Sequence, residues 1–266
     1  MSAADPWNPD QYHRFQNERA QPFFDLLALV EPRPGLRIVD LGCGTGELTA
    51  LLHQRLSARS TLGIDNSSAM LARAALHATD SLTFRAGDIA IFAADEPRPD
   101  VIFSNAALQW VDDHPALFAR LARTLAPGGQ LAVQMPANHD HLSHTLAAEL
   151  ASESPFASVL AGSVRTSPVL DPSEYAALLH SLGFARQHVR LQVYAHLLPS
   201  SADVVEWVRG TLLTWYEKRL PPDLFTQFLS RYRDALLVRL PETRPFFYPF
   251  KRIHLWASGP VSPRSV

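Results

Sequence analysis

Residues Ile38-Val39-Asp40-Leu41 make a short apolar run carrying one acid, and Gly42-Cys43-Gly44-Thr45-Gly46 then places glycine at every second position. A helix-compatible segment, Glu47 to Leu56, comes next. A second apolar run, Ser60 to Ile64, ends on Asp65, 19 residues after the last glycine. Glycine allows the backbone of a tight turn and leaves no side chain between the main chain and a ligand. Strand, glycine turn, helix and a second strand ending on an acid form the layout of a nucleotide-binding βαβ unit, whose acid accepts hydrogen bonds from ribose hydroxyls. The spacing argues against a dinucleotide. The G-x-G-x-x-G fingerprint needs glycine at position 47, where this chain has Glu47. That carboxylate stands where a pyrophosphate would meet the helix N-terminus.

A chain of 266 residues forms one large α/β domain with insertions, or a domain with a small cap. Hydrophobic content of 47% supplies a sizeable core, and 19% charged residues is low for a disordered chain. A formal net charge of -2 gives no electrostatic footprint for nucleic acid. Lys218 and Lys251 are the only lysines, so the cations are nearly all arginine, which suits capture of carboxylates. The single cysteine, Cys43, excludes an internal disulfide and fits a reducing compartment. It lies in the glycine turn with no paired base in view, and reads as packing. The opening Met-Ser-Ala-Ala-Asp-Pro-Trp has neither the basic nor the apolar region of a signal peptide, and no run of 18 apolar residues occurs. A soluble, cytoplasmic protein is expected, without membrane or nucleic-acid partners; its oligomeric state is open and a monomer is compatible.

Strands and helices alternate through the first half. Pro9 to Val30 has Tyr12, Phe15, Arg19 and Phe23 at helical spacing. After Asp65, Asn66-Ser67-Ser68 reads as a helix cap for Ala69 to Ala78. Leu82 to Ala86, Asp100 to Asn105 and Gln130 to Met135 read as strands, with a helix over Leu117 to Leu125 stopped by Pro127-Gly128-Gly129. Beyond Pro136 the rhythm breaks. The expected organisation is an N-terminal helix or lid (1–30), an α/β core (31–136), a helical insertion (137–170), a core helix and strand (171–198), a helical cap (199–247), a closing strand (248–258, centred on Ile253 to Ala257) and a frayed tail (259–266). The alternation predicts a mostly parallel sheet covered on both faces. Asp40, Asp65, Asp88 and Asn105 all fall at carboxyl ends of strands, where open α/β sheets bind ligands.

D-x-G-x-G-x-G resembles motif I of class I S-adenosyl-L-methionine (SAM) methyltransferases. The wider pattern resembles the trans-aconitate 2-methyltransferases: Trp7-Asn8-Pro9, Tyr12, Phe15, Arg19 and Pro22 at the start, then Gly63-Ile64-Asp65, Ser67-Ser68-Ala69-Met70-Leu71 and Asn105-Ala106. Leu108-Gln109-Trp110, Ala132-Val133-Gln134-Met135-Pro136, His144, Tyr194-Ala195-His196, Trp207-Val208 and Pro249-Phe250-Lys251-Arg252 continue it. The likeness covers about residues 7 to 257. Thr45 departs from it, standing where that family usually has proline, as do Thr211 to Tyr216 and, inside the otherwise matching Pro249 to Arg252 stretch, Lys251.

The resemblance implies a Rossmann-like class I methyltransferase fold with a seven-stranded sheet and helical insertions in the C-terminal half. It implies methyl transfer from SAM to a carboxylate of trans-aconitate, a small tricarboxylate, giving the monomethyl ester. Gly42, Gly44 and Gly46 would pass under the methionyl part, with Asp40 holding the loop. Asp65 would take the ribose hydroxyls and Met70 cover the adenine. Asp88 and Ile89 would read the adenine edge, and Asn105 and Ala106 would meet the methionine end. Donors for the acid are expected from Arg19, Arg165 and Arg252, with Tyr12, His144, Tyr194 and His196 adding hydrogen bonds and Trp110 a wall. No general base is needed, since a carboxylate is ionised at neutral pH. Asn138-His139-Asp140-His141 with His144 invites a metal reading, but these groups lie in one polar loop without a second cluster. Two alternatives stay open: a carboxyl methyltransferase for another small or carrier-bound acid, and a SAM-binding protein without transfer activity.

Overall fold

The computed structural model describes residues 16–93 and 97–260, excepting the side chains of 16–20 and of Pro260. Two compact units make up the chain. One comprises Met1–Pro136, Pro168–Gln192 and Arg252–Val266, the other Ala137–Ser167 and Val193–Lys251. The described helices are α1 (Gln16–Leu27), α2 (Glu47–Arg55), α3 (Ser68–Ala74), α4 (His114–Thr124), α5 (Leu142–Ala151), α6 (Phe156–Leu160), α7 (Pro172–Ser181), α8 (Asp203–Arg209), α9 (Thr214–Glu217) and α10 (Pro222–Arg239). Among the described residues no helix is long and apolar enough to cross a membrane.

The strands are β1 (Arg37–Leu41), β2 (Ser60–Asp65), β3 (Leu82–Ala86), β4 (Val101–Asn105), β5 (Gln130–Pro136), β6 (Phe184–Leu198) and β7 (Phe246–Pro260), in the order β3-β2-β1-β4-β5-β7-β6. The first five pair in parallel and β7 joins β5 antiparallel. The chain walks outward from β1 to β3 and then returns to place β4 on the other side of β1. That reversal is the switch point where a crevice opens beyond the carboxyl ends. Central strands covered on both faces must be apolar nearly throughout. Ile38, Val39 and Leu41 on β1 and Val101, Ile102 and Phe103 on β4 are accordingly buried.

On one face of the sheet, Phe23, Leu26 and Val30 from α1 and its C-terminal extension join Leu52, Leu56, Phe103, Ala132 and Trp256 in a single core cluster. The Phe23 ring stands edge-on to Phe103 at 5.4 Å. Beyond α1, the Gln130 amide clamps the chain: Oε1 accepts from Glu31 N at 2.8 Å, and Nε2 donates to Glu31 O at 2.9 Å. Gln130 opens β5, while Pro22 O lies 3.3 Å from Nε2 of His254, which is in register with Gln134 further along β5. Helix α1 therefore runs antiparallel to β5, with its N-terminal end toward the carboxyl edge of the sheet.

Helix α4 starts at His114, earlier than the apolar spacing from Leu117 suggests. Asp113 sits at φ 52° and its carboxylate accepts from Ala116 N at 3.1 Å. An acid in the left-handed region capping a helix leaves no apolar trace in the sequence. The stretch read as Ala69 to Ala78 is the shorter α3, followed by a 3-10 turn over Ala75–His77. The closing strand also begins earlier than position 248. Phe246, Tyr248 and Phe250 are buried alternately with exposed Phe247, but Pro249 interrupts the run and disguises it as a loop.

The second unit is built on α5, α6, α8, α9 and α10. Tyr216 stacks on Phe228 at 4.8 Å and Phe156 meets Phe228 edge-on at 5.0 Å. Tyr232 Oη donates to Ser143 O at 2.7 Å, which satisfies a phenol buried in α10. Arg231–Glu153 (2.6 Å) and Arg239–Glu149 (2.8 Å) join the helices outside that core. As exposed pairs they contribute at most about 1 kcal/mol each.

Candidate active site

The glycine turn is pinned to its neighbour strand: Gly42 N and Cys43 N both donate to Ile64 O, at 2.7 and 3.0 Å. Gly44 has φ 55°, and a Cβ built there would find nothing within 4 Å. The bare backbone at this position therefore faces open space, as a turn that carries a ligand must. Asp65 stands beside the turn at the end of β2. Its Oδ2 accepts from Gly44 N at 2.9 Å and its Oδ1 from Ser67 N at 2.9 Å. Each carboxylate oxygen keeps a lone pair for a further donor, so the two backbone bonds orient the group without exhausting it.

Asp40 lies beneath the turn, 5% exposed, and accepts from Thr49 Oγ1 at 2.6 Å. Burial pushes its pKa up to about 7, the Thr49 bond opposing and the nearby Asp65 charge adding to the rise. Burial likewise pushes the Cys43 thiol up, so it is no thiolate nucleophile at neutral pH. Met70 is buried at the start of α3, its N donating to Ser67 Oγ at 3.2 Å. Asp88 ends the loop after β3 and accepts from Ala90 N at 2.8 Å, capping the 3-10 turn Ile89–Ile91. At the end of β4, Asn105 carries a buried Oδ1 with no hydrogen-bond partner. Ala106 follows at φ 57°, its N donating to Gln134 O at 2.9 Å.

The sequence-expected cofactor residues Asp40, Gly42, Gly44, Gly46, Asp65, Met70, Asp88, Ile89, Asn105 and Ala106 all lie in the first unit, along the carboxyl edges of β1 to β4. Of the residues expected to meet the acid, Tyr12 lies outside the described residues, as does the side chain of Arg19. Trp110 is half-buried in a 3-10 turn beyond β4. Arg252, 4% exposed on β7, sets its Nη1 3.4 Å from Gln134 Oε1.

The others belong to the second unit. His144 Nδ1 is 3.1 Å from Ser143 Oγ, and burial above all, with cations such as Arg165 adding to it, pushes its pKa down to about 3. Arg165 N donates to Tyr216 Oη at 3.4 Å. Tyr194 and His196 stack at 6.3 Å, and His196 lies 4.9 Å from Trp207. In the Asn138 to His144 loop, Asp140 pairs with Lys251 and His141 Nδ1 meets Ser143 Oγ at 2.9 Å, so local contacts engage these groups.

The sequence reading gives two residues of this region no role. Thr49 is inconspicuous in an amphipathic helix. Gln134 does leave a signal, as the lone amide inside Leu131-Ala132-Val133-Gln134-Met135.

The model of the methyltransferase domain family matches residues 12–189. A curated trans-aconitate 2-methyltransferase of Deinococcus radiodurans is 45% identical over 96% of this chain and 98% of that protein. One of Variovorax paradoxus is 42% identical over 91% of this chain and 95% of that protein. Among solved structures, the YcgJ protein of Bacillus subtilis superposes with TM-score 0.61 at 17% identity, covering 91% of this chain and all of that one. Haemonchus contortus phosphoethanolamine N-methyltransferase 2, solved with S-adenosyl-L-methionine, gives TM-score 0.55 at 18% identity over 91% of this chain and 53% of that one. These two likenesses speak to the fold. By its sequence, the chain belongs to the SAM-dependent methyltransferases and, within them, to the trans-aconitate 2-methyltransferase family.

Proposed function

We propose that the protein transfers the methyl group of SAM to a carboxylate oxygen of trans-aconitate, giving the monomethyl ester and S-adenosylhomocysteine. The observation that carries the reading is the open turn at Gly44 facing an oriented Asp65, in a chain aligned almost end to end with curated trans-aconitate 2-methyltransferases.

The residues present fit the cofactor. Asp65 has lone pairs for two ribose hydroxyls, Asp88 an acceptor for the exocyclic amine of adenine, and Met70 an apolar surface beside the ring. The unpartnered Oδ1 of Asn105 suits a donor such as the methionine ammonium. When bound, SAM supplies an electrophilic methyl on a sulfonium. The protein's own work is positional. The acceptor carboxylate, with a pKa near ~4, needs no base at neutral pH. Its oxygen has to be held in line at roughly 3–3.5 Å from the methyl and kept from water, which supplies several kcal/mol. Arg252 on β7 and Trp110 beyond β4 are the donor and the wall we assign to that task in the first unit.

The test is transfer of isotopically labelled methyl from SAM to trans-aconitate beside cis-aconitate, citrate and isocitrate. Ester formation strongly preferring the trans isomer is expected. Transfer to a different acid would move the acceptor, and SAM binding without transfer to any acid would remove the activity.

A further inference from the structure

The row of residues at the carboxyl edge of the sheet reads like a ruler. Asp40 pairs with Phe103, and one residue further the Ser104 hydroxyl donates to Leu41 O; Asn105 pairs with Gln134, and Gln134 with His254. Phe103 and Ala132 face the α1 side, and alternation puts Asn105 and Gln134 on that same side. The cofactor assignments above run along the strand order: adenine at β3, ribose at β2, methionine over β1 and β4. The next strand is β5. Two strand spacings, about 10 Å, separate β5 from β1, which leads into the glycine turn, so Gln134 lies past the methionine end, on the acceptor's side.

Gln134 is 0% exposed, and its Nε2 has no hydrogen-bond partner. Amide oxygen and nitrogen are hard to tell apart, but here a neighbour decides. Arg252 Nη1, 3.4 Å away, can only donate, so the atom facing it is the oxygen and the amine is the group left over. A buried donor without a partner is expensive and rare away from functional sites.

We infer that Gln134 is a specificity-determining residue: its Nε2 donates to one carboxylate of the acceptor acid, and Arg252 sets the amide for that task. The inference rests on the proposed activity. An anionic carboxylate is the complement of an amine donor backed by a guanidinium, whereas an ammonium on the acceptor would offer these donors no lone pair.

The near-isosteric Gln134→Met removes the donor and keeps the volume. The expected result is a KM for trans-aconitate raised about 10–100-fold with the SAM Kd unchanged. Three dicarboxylates that each lack one carboxylate of trans-aconitate (itaconate, cis-glutaconate and mesaconate) then serve as competitive inhibitors. Gln134→Met should raise Ki for two of them and leave unchanged the one missing the carboxylate that Gln134 holds. Should Gln134→Met fold poorly, Gln134→Glu serves instead, because a carboxylate facing a carboxylate should lower kcat/KM at least as far. An unchanged KM, an equal rise in all three Ki values, or a raised SAM Kd with normal KM overturns the assignment and leaves the proposed activity standing. Wild-type protein that methylates none of the acids overturns the activity, and this assignment with it.

Discussion

At the scale of single residues, Asp65 and Gly46 make opposite kinds of prediction. Asp65 already holds Gly44 N and Ser67 N, and the ribose adds bonds to a group that is oriented in advance. Asp65→Ala should weaken SAM binding about 10–100-fold by titration calorimetry, the range for losing charge-assisted hydrogen bonds. Unchanged affinity would take Asp65 out of the site. Gly46, by contrast, is demanded by packing. It has φ 80°, and a Cβ there would come within 2.9 Å of Ala74 and the Phe84 ring. Gly46→Ala should destabilise the fold by about 2–4 kcal/mol, lowering Tm by roughly 5–10 °C. Both residues were visible in the sequence because they belong to a spaced motif. The roles of Gln134 and Thr49 were not, because an amide in a strand and a threonine in a helix acquire meaning only when their neighbours are known.

At the scale of elements, β7 shows how a polar side chain buried in a strand ties stability to pH. His254 is fully buried, and burial, the largest cause, pushes its pKa down to about 4. Unfolded histidine titrates near ~6.5. The native state thus refuses a proton that the unfolded chain accepts, and the contribution present above about pH 6.5 is lost as pH falls toward 4. Thermal midpoints should drop across that window, and His254→Gln should flatten part of the slope. A flat profile for the wild-type chain would exclude the effect. Strand boundaries in the parallel core were readable from apolar runs bounded by glycine, proline and acids. The start of β7 was hidden by Pro249, and the start of α4 by a cap in the left-handed region.

For the whole molecule, the reaction needs alignment and no base. Its kcat should therefore stay within about twofold from pH 6.5 to 8.5, while a general-base mechanism would show a tenfold change per pH unit below the base's pKa. Stopped-time assays with labelled SAM decide between them. Of the N-terminal helix or lid expected over 1–30, Phe23, Leu26 and Val30 belong to the core of the sheet, and residues 1–15 lie outside the described residues. The α/β half was readable from first principles, because alternating strands and helices permit few arrangements. The helical unit was readable only as helical: spacing such as Val204, Val205 and Val208 announces an apolar face but not its partner. The aromatic cluster of Phe156, Tyr216 and Phe228 is assembled from three separate segments, and no local pattern encodes it.

Asp40 has one more consequence. Burial pushes the pKa of the carboxyl beneath the turn up to about 7, so the group carries a share of its proton in a neutral buffer before any ligand arrives. A sulfonium and an ammonium brought over the turn favour its ionised form, so cofactor binding should expel protons into solution. The apparent binding enthalpy near pH 7 should then vary with the ionisation heat of the buffer, and Asp40→Asn should reduce that dependence. A calorimeter would thus register the arrival of the cofactor partly as a heat of neutralisation.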